Sequence, residues 1–407
     1  GHTFAALRFG CRVRDITLAG ARKPVWVVLM CLGGDEYDLP SDAEQRLMVY
    51  SVLANGGKGI MYFAGPSFPN WRLRYYISPT YAIDFWGATS EIWDLVSGLG
   101  RNVTAIGQAL LETDFELNRD FQIVDAPKVE FRHRRTNALY YEGPALTVGV
   151  LKQRGGAGHV LVVQNQDTDK QRSGVLAIAP DAFKGKVLCD LVALANVEAS
   201  GGRLAVDLAP GDARFLYCGP EAEARKMLDA VHANHYRNER VVYQIEAEPA
   251  TLNKAPTPAA FALAKQAADA FAAGRMSEAH QKILDARKTL AEEMKKDAGF
   301  YSAWGALCRS RELLSQCATA FTAQIDLCAP PALRRSVRGG QPYKDNPDAQ
   351  LQKYLDEAHA CFIKRMELED KVYAGGARDV AAEAQALLKE SERLAKEAIP
   401  YVRSKAK

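Results

Sequence analysis

The stretch KPVWVVLMCLGG, from Lys23 to Gly34, decides the fold class of the first part of the chain. Residues 24–32 are apolar without the alternation of a half-exposed strand, which is typical of a strand buried on both faces in a parallel sheet. A second run of this kind, GIMYFAG, extends from Gly59 to Gly65. Two such strands separated by one helix predict a parallel sheet with helices packed outside it.

The segment between the two strands carries the signals of a single helix. Ser41 and Glu44 form the S-x-x-E pattern of a capping box, and Gly56-Gly57 predicts the end of the helix. Apolar residues recur on one face of this helix, at Ala43, Leu47, Tyr50 and Leu53. Further helices are predicted near residues 4–20, 81–98 and 101–113.

Residues 121–219 change to short alternating runs separated by turns that contain Gly, Asp, Asn or Pro. The runs are KVEFRHR, ALTVGVL, GHVLVVQNQ, GVLAIAP, KVLCDLV, GRLAVDL and ARFLYC. Repeated short strands with turns between them predict an antiparallel β-sandwich. The GGAG run from Gly155 to Gly158 is predicted to be a hairpin turn and not a phosphate loop, because no helix follows it.

From residue 221 onward the pattern is helical. Apolar residues recur at i, i+3 and i+4, which predicts an antiparallel bundle. One segment, AKQAADAFAAGRMSEAHQKILDARKTL, also resembles a single tetratricopeptide hairpin, but such repeats need about three copies to be stable. The best linker is PATLNKAPTP, Pro249 to Pro258, within a linker region near 246–258. Helices are predicted near 221–236, 259–273, 277–297, 300–328, 348–373 and 378–398.

The composition narrows the class of protein and of partner. The chain has 407 residues, of which 52 are Lys or Arg and 49 Asp or Glu, so its net charge of +3 gives no argument for nucleic acid. No apolar run approaches the roughly 18 residues of a membrane span. We expect no cofactor and no metal: the cysteines lack zinc spacing, and His232 and His235 lack an evident third ligand.

Three segments resemble the last elements of a retaining glycoside hydrolase barrel, with family 42 beta-galactosidases as the nearest type. They are KPVWVVLMCLGG, AEQRLMVYSVLANGGKGIMYF and FWGATSEIWDLVSGLGRNVTAIGQALLE. They are similar to the seventh strand, seventh helix, eighth strand and closing helices of such a barrel. GHVLVVQNQDTD and GRLAVDLAPGDARFLY resemble the β-domain that follows it. The resemblance covers roughly residues 1–219 and leaves the helical zone without a counterpart.

The resemblance implies a fragment. A (β/α)8 barrel takes about 250 residues, and the roughly 117 before the β-domain hold only its last two strands. Two strands cannot close a barrel. If the resemblance holds, the first six strands belong to a longer protein that precedes this chain.

The same resemblance locates the catalytic chemistry at the ends of strands. Retaining glycosidases use two carboxyl groups about 5–5.5 Å apart. The family's nucleophilic Glu ends the seventh strand, and its acid/base Glu follows an Asn on the absent fourth strand. Cys31 stands at the nucleophile-like position, but a thiol cannot replace a carboxylate without changing the chemistry, so a buried small apolar residue is the preferred interpretation and a nucleophile the alternative. Asp35 and Glu36 follow it and could reach back into a site, with Glu36 preferred, or could form a solvated turn.

An aromatic loop after the second strand is the candidate sugar-contacting surface. Sugar rings stack their axial C–H groups on aromatic faces, and Trp71 is the best platform. The alternative is that these aromatic residues cover the barrel end or face the β-domain, and that Arg72 is solvated. The remaining Asn-Glu pair, Asn238-Glu239, is predicted to lie on the surface of the helical zone. The candidate substrate-binding residues are Trp71, Tyr62, Phe63, Tyr75, Tyr76 and Arg72.

Cys317 and Cys361 stand at nearly the same height if the helices near 300–328 and 348–373 form a hairpin. A disulfide between them would imply an exported protein, periplasmic or extracellular, whereas two buried thiols are the alternative. The location of the protein is otherwise open.

The predicted fold is a multidomain α/β, all-β and all-α chain. Residues 1–117 hold the last strands and helices of a (β/α)8 barrel, 118–220 an antiparallel β-sandwich, and 221–407 a helical bundle. The predicted function is that of a carbohydrate-directed hydrolase fragment, inactive as this chain alone. The alternatives are a non-catalytic glycosidase-like protein that binds carbohydrate, or a scaffold that self-associates through its helical C-terminal region.

Overall fold

The computed structural model describes residues 12–19, 23–30, 40–63, 91–132, 139–322, 337–338, 341–342 and 348–405. The chain forms two compact units. The described residues up to 63 and those from 97 to 235 belong to the first, and residues 91–96 and those from 236 onward belong to the second. The predicted barrel remnant and β-zone lie mainly in the first unit. The second unit is helical.

The helices follow the predicted order. A short helix, α1, covers residues 12–19. The others are α2 (Asp42–Ala54), α3 (Glu91–Leu111), α4 (Pro180–Phe183), α5 (Glu221–Leu252), α6 (Pro258–Ala272), α7 (Met276–Lys296), α8 (Ala298–Thr322), α9 (Ala349–Tyr373) and α10 (Ala381–Ser404). No described helix is both long and apolar enough to cross a lipid bilayer.

The strands include all seven alternating runs expected from the sequence. They are β1 (Trp26–Met30), β2 (Gly59–Phe63), β3 (Thr113–Glu116), β4 (Phe121–Val124), β5 (Lys128–Arg132), β6 (Leu139–Pro144), β7 (Leu146–Gln153), β8 (His159–Asn165), β9 (Arg172–Ile178), β10 (Val187–Asp190), β11 (Ala195–Val197), β12 (Arg203–Leu208), β13 (Ala213–Gly219), β14 (Val337–Arg338) and β15 (Gln341–Pro342). The predicted hairpin turn at Gly155–Gly158 is confirmed, since it joins β7 to β8.

The strands after α3 form antiparallel sheets. One sheet has six strands in the order β11-β10-β13-β8-β7-β3, and another has three in the order β12-β9-β4. Strand β5 pairs with β6 in a separate hairpin. The two larger sheets share one hydrophobic core, with Leu146 and Leu161 from the first and Leu176 and Val206 from the second. No closed barrel occurs in the part of the chain that the structure describes.

Burial along the strands reflects what covers each sheet. Strand β12 alternates exposed and buried residues, because its sheet has a core on one face and solvent on the other. Strand β8 is buried at nearly every position. Helix α2 packs on the outer face of the six-stranded sheet, where Tyr50 meets Phe215 edge to face at 5.4 Å between ring centroids. Strand β8 therefore has no free face.

Helix α2 approaches the antiparallel strands so closely that a side chain would not fit at two points. A Cβ atom on Gly149 of β7 would lie 2.0 Å from the carbonyl oxygen of Ala54. One on Gly211, before β13, would lie 2.0 Å from the carbonyl oxygen of Ala43. These two glycines face opposite ends of α2, so the backbone of the helix is fixed at both ends.

The described helices of the second unit share a hydrophobic core. Buried residues from α5 to α10 form it, among them Tyr243, Ile283, Leu307, Leu355 and Leu394. Asn253, just after α5, is buried and ties three segments together. Its side-chain amide donates to the carbonyls of Pro249 and Val372 and accepts from the backbone N–H of Ala377.

Two predicted boundaries are wrong. Residues 91–111 form one helix, because buried Leu99 and Ile106 give α3 a continuous apolar face that outweighs the roughly 1 kcal/mol cost of each helical glycine. Helix α5 continues to Leu252, through most of the predicted linker. Tyr236, Tyr243 and Ala250 recur every seven residues on its buried face, and Pro249 lies in its last turn.

We expect Gly149→Ala to lower the free energy of unfolding by about 1–3 kcal/mol, because the new methyl group meets backbone atoms that cannot rotate away. Gly107→Ala on α3 is the matched control. Nothing lies within 4 Å of its added Cβ, so it should stabilise the helix by up to about 1 kcal/mol. Urea unfolding followed by circular dichroism measures both. Equal midpoints for the two variants would contradict the close approach of α2.

Candidate functional site

The candidate site lies at the carboxyl ends of β1 and β2. The strands pair in parallel over five residues, from Trp26 opposite Gly59 to Met30 opposite Phe63. The predicted parallel pair joined by one helix is therefore present. Because the register has no slip, both strands end at the same level, with Met30 opposite Phe63.

The two faces of this strand pair differ sharply. On one face Val27 and Leu29 are buried, and Leu29 is only 1% exposed. On the other face Trp26 is 61% exposed, and Val28 and Met61 are each 47% exposed. Val28 and Met61 are register partners, so these exposed side chains form one apolar surface, which we call the open face (Trp26, Val28 and Met61). Parallel sheets are normally covered on both faces.

The turn before β2 explains the glycines of LANGGKG. The N–H of Gly57 donates to the carbonyl of Val52 and that of Gly56 to Leu53, which is the Schellman ending of a helix. Gly56 adopts a φ of 85°, a conformation that costs other residues about 1–2 kcal/mol. A Cβ on Gly59 would lie 2.4 Å from the ring of Trp26, so a glycine is needed there for the indole to cross β2.

The start of α2 matches its sequence signal. The hydroxyl of Ser41 accepts from the N–H of Glu44 at 3.2 Å, and the Glu44 carboxylate accepts from the N–H of Ser41 at 2.9 Å. The predicted capping box is confirmed. It fixes the first turn of α2, the helix that connects β1 to β2.

Buried polar groups connect α2 to the six-stranded sheet. The side-chain amide of Gln164, which is 1% exposed, donates to the carbonyl of Leu47 and to the hydroxyl of Ser51. Burial, followed by the nearby Asp212 carboxylate, raises the pKa of Tyr50 to about 12. These groups are therefore neutral and structural at physiological pH.

The structure describes only part of the predicted sugar-contacting set. Tyr62 is the register partner of Leu29, so its side chain lies on the covered face and not on the open face. It is half-buried, which makes it a packing residue in this chain. The backbone of Phe63 ends β2. The remaining predicted residues lie outside the described ranges: Cys31, Asp35, Glu36, Trp71, Arg72, Tyr75 and Tyr76.

The prediction that Asn238-Glu239 lies on the surface is wrong for Glu239. Its side chain is 13% exposed and bonds the guanidinium of Arg287, which also pairs with Glu246. The two carboxylates, Glu246 first, raise the pKa of Arg287 above its ordinary value. An ion pair between α5 and α7 of this kind could be predicted only by knowing that the two helices pack together.

The two cysteines considered for a disulfide are both free, buried thiols in the structure. Burial, and then the neighbouring Cys361, raises the pKa of the Cys317 thiol to about 12. These are the two buried thiols of the alternative interpretation, so the argument for export from a disulfide receives no support here.

Within the described ranges, no group of three or more His, Cys, Asp or Glu side chains is arranged to hold a metal ion. Burial lowers the pKa of His232 below its usual value. Comparison with family models, with curated proteins and with solved structures gives no match. The glycoside hydrolase relationship therefore remains a hypothesis that rests on the residues of this chain.

We expect the open face to bind an apolar dye. The double variant Val28→Thr with Met61→Thr nearly preserves the volume at position 28 and adds two hydroxyl groups. It should therefore clearly reduce the fluorescence of bound Nile red, an uncharged dye. Val192→Thr replaces an exposed valine outside this face and serves as the control. If the double variant and the control bind dye equally well, the open face is covered in solution.

Proposed function

We propose that this chain is the C-terminal portion of a glycoside hydrolase-like protein that acts on or binds carbohydrate. The observation that carries the proposal is the open face of the parallel β1–β2 pair. In a closed (β/α)8 barrel, strands are covered by helices outside and by the other strands' side chains inside. If β1 and β2 belong to such a barrel, the covered face with Val27 and Leu29 would be one side of its wall, and the open face would be the side left for further barrel elements to cover.

The antiparallel sheets that follow are consistent with the β-domain implied by the resemblance, and their paired layers suit a β-sandwich. Barrel enzymes bind substrates at the carboxyl ends of their strands. That edge is where Met30 and Phe63 end side by side. The aromatic residues that follow Phe63 in the sequence would then lie beside a sugar.

We infer that the chain alone is catalytically inactive. The position that follows Met30 is Cys31, and a thiol does not replace the carboxylate of a retaining glycosidase. The acid/base residue would belong to a strand that this chain lacks. A loop carboxylate, Glu36 or Asp35, remains the candidate substitute for the nucleophile.

Carbohydrate binding is tested with the whole chain by affinity electrophoresis in soluble β-galactan and in a panel of other neutral polysaccharides. We expect Trp71→Ala to weaken binding about tenfold, which corresponds to about 1.4 kcal/mol. Trp93→Ala, which removes a partly exposed tryptophan of α3, should leave it unchanged. Binding that is absent from the whole panel, or equal in both variants, would contradict a sugar site at the loop.

A structural role is the second candidate, and a surface of α5 favours it. Val241, Ile245 and Leu252 are exposed and lie within about 40° of each other around the helix. This stripe of apolar side chains, which is interrupted by the exposed Glu248, suits association with a second copy of the chain.

This second candidate predicts a mass change in solution. Ile245→Glu places one negative charge in the stripe and should shift an oligomer toward the monomer in sedimentation velocity experiments. Gln244→Glu adds the same charge one residue away, outside the stripe, and should have no effect. A wild-type chain that is monomeric at all concentrations would exclude self-association.

A further inference from the structure

A cavity lies at the opposite edge of the strand pair from the candidate sugar site. Its volume is about 460 Å³, within the range of about 300–1,000 Å³ that is common for small-molecule pockets. Lys23 and Pro24 line it just before β1, and Lys58 lines it just before β2. We call it the amino-edge cavity; its remaining lining residues are Thr17, Leu18, Gly56, Leu111, Asp114, Phe115 and Arg154.

The charges in this cavity do not balance. Among the described residues that line it, Lys23, Lys58 and Arg154 contribute three positive charges, and Asp114 contributes one negative charge. Arg154 donates from Nε and Nη2 to the two carboxylate oxygens of Asp114, at 2.9 and 2.5 Å, so this pair is internally neutral. The two lysines remain as a net charge of about +2, which favours an anionic ligand.

The three cationic side chains differ in how many of their N–H groups already donate to protein atoms. The Lys58 ammonium donates to the carbonyls of Leu110 and Thr113, at 2.5 and 2.6 Å, and to the Thr113 hydroxyl at 3.2 Å. It is thus a fixed charge that also holds the end of α3. Lys23 is exposed, and among the described residues it forms no ion pair. The bonds from Arg154 to Asp114 use two of the five N–H donors of its guanidinium, so donors remain for a ligand.

An unpartnered polar atom lies in the same cavity wall. The hydroxyl oxygen of Thr17 is buried and has no hydrogen-bond partner. Such groups are rare in native structures, and each costs about 1–3 kcal/mol when it stays unpaired. Because this oxygen is closed off from solvent, a ligand would bond it only if the cavity wall moved. The neighbouring Leu18, Pro24 and Phe115 offer apolar contacts for an uncharged ligand body.

We propose that the amino-edge cavity binds a small organic oxyanion, a phosphate monoester or a carboxylate with an apolar body. The oxyanion would lie between Lys23, Lys58 and the free donors of Arg154, and the body would rest on Leu18 and Phe115. This site is independent of the proposed carbohydrate function, since it lies at the other end of the strands.

The protonation of Lys58 gives the proposal a second signature. Burial, and then the positive charge of Arg154, lowers the pKa of Lys58 to about 8, while Asp114 acts in the opposite direction. A bound anion adds a favourable charge beside the ammonium and raises this pKa again. Near pH 8 the chain should therefore take up protons when the ligand binds, since part of the Lys58 population is neutral in the free state.

The test is isothermal titration calorimetry of the whole chain with phenyl phosphate and with benzoate, in two buffers of different ionisation enthalpy. We expect saturable binding of either anion, with proton uptake at pH 8. Benzyl alcohol, which has no charge, should not bind. Binding of phenyl phosphate alone assigns a phosphate monoester, and binding of benzoate assigns a carboxylate.

Variants tie the binding to this cavity. Lys23→Gln should weaken binding about tenfold, because it removes the most available cation at an exposed position where folding is not at risk. Lys184→Gln removes an exposed lysine that does not line the cavity and is the matched control. No saturable binding of either anion, or equal weakening by the two variants, would overturn the proposal, and binding without proton uptake would overturn the role of Lys58.

Discussion

The close packing of α2 against the six-stranded sheet is the constraint on which the first unit depends. Helix backbone meets strand backbone at Gly149 and near Gly211, where even a methyl group would not fit. Between these two points most of the residues of α2 are buried, including polar Gln45 and Ser51. A helix covered to this extent cannot move without opening the core. The parallel pair and the antiparallel sheets belong to this same compact unit.

This constraint also fixes which face of the β1–β2 pair stays open. Val27 and Leu29 are buried on one face, whereas Trp26, Val28 and Met61 are exposed on the other. Exposed apolar surface of this kind marks a place where further structure or a partner packs. A barrel interior is one way to cover it, and it agrees with the sequence resemblance. The amino-edge cavity is separate, since its polarity and charge suit a small soluble anion.

Periodicity and turn chemistry predicted much of this fold. The capping box at Ser41 and Glu44, the glycine ending of α2 and the seven alternating strands depend on neighbours within a few residues, and all are present. Strands β3, β4, β6 and β11 were missed because each is short or lacks a clean alternation. The predicted helix near 221–236 is shorter than α5. The apolar positions from Tyr236 to Ala250 indicate a helix only when another surface is known to cover them.

Less of the candidate site could be predicted from the sequence. Position 31 and the aromatic loop are candidates because they come after the ends of predicted strands. That the side chain of Tyr62 lies on the covered face depends on its register with Leu29, which only the structure shows. In the cluster of Lys23, Lys58 and Arg154, the first and last residues are more than a hundred positions apart in the sequence. No local sequence pattern predicts this cluster. The same holds for Gln164, whose burial requires Ser51 and Leu47 from another element.

The most direct test of the central claim is the intact mass of the natural polypeptide together with its upstream reading frame. If the open face of β1 and β2 is the inner side of a barrel, the mass will exceed 44.6 kDa by the six missing strand-helix units, and an Asn-Glu pair will end one of those strands. A natural polypeptide of 44.6 kDa would contradict the account, because no barrel could then form and the open face would need another partner.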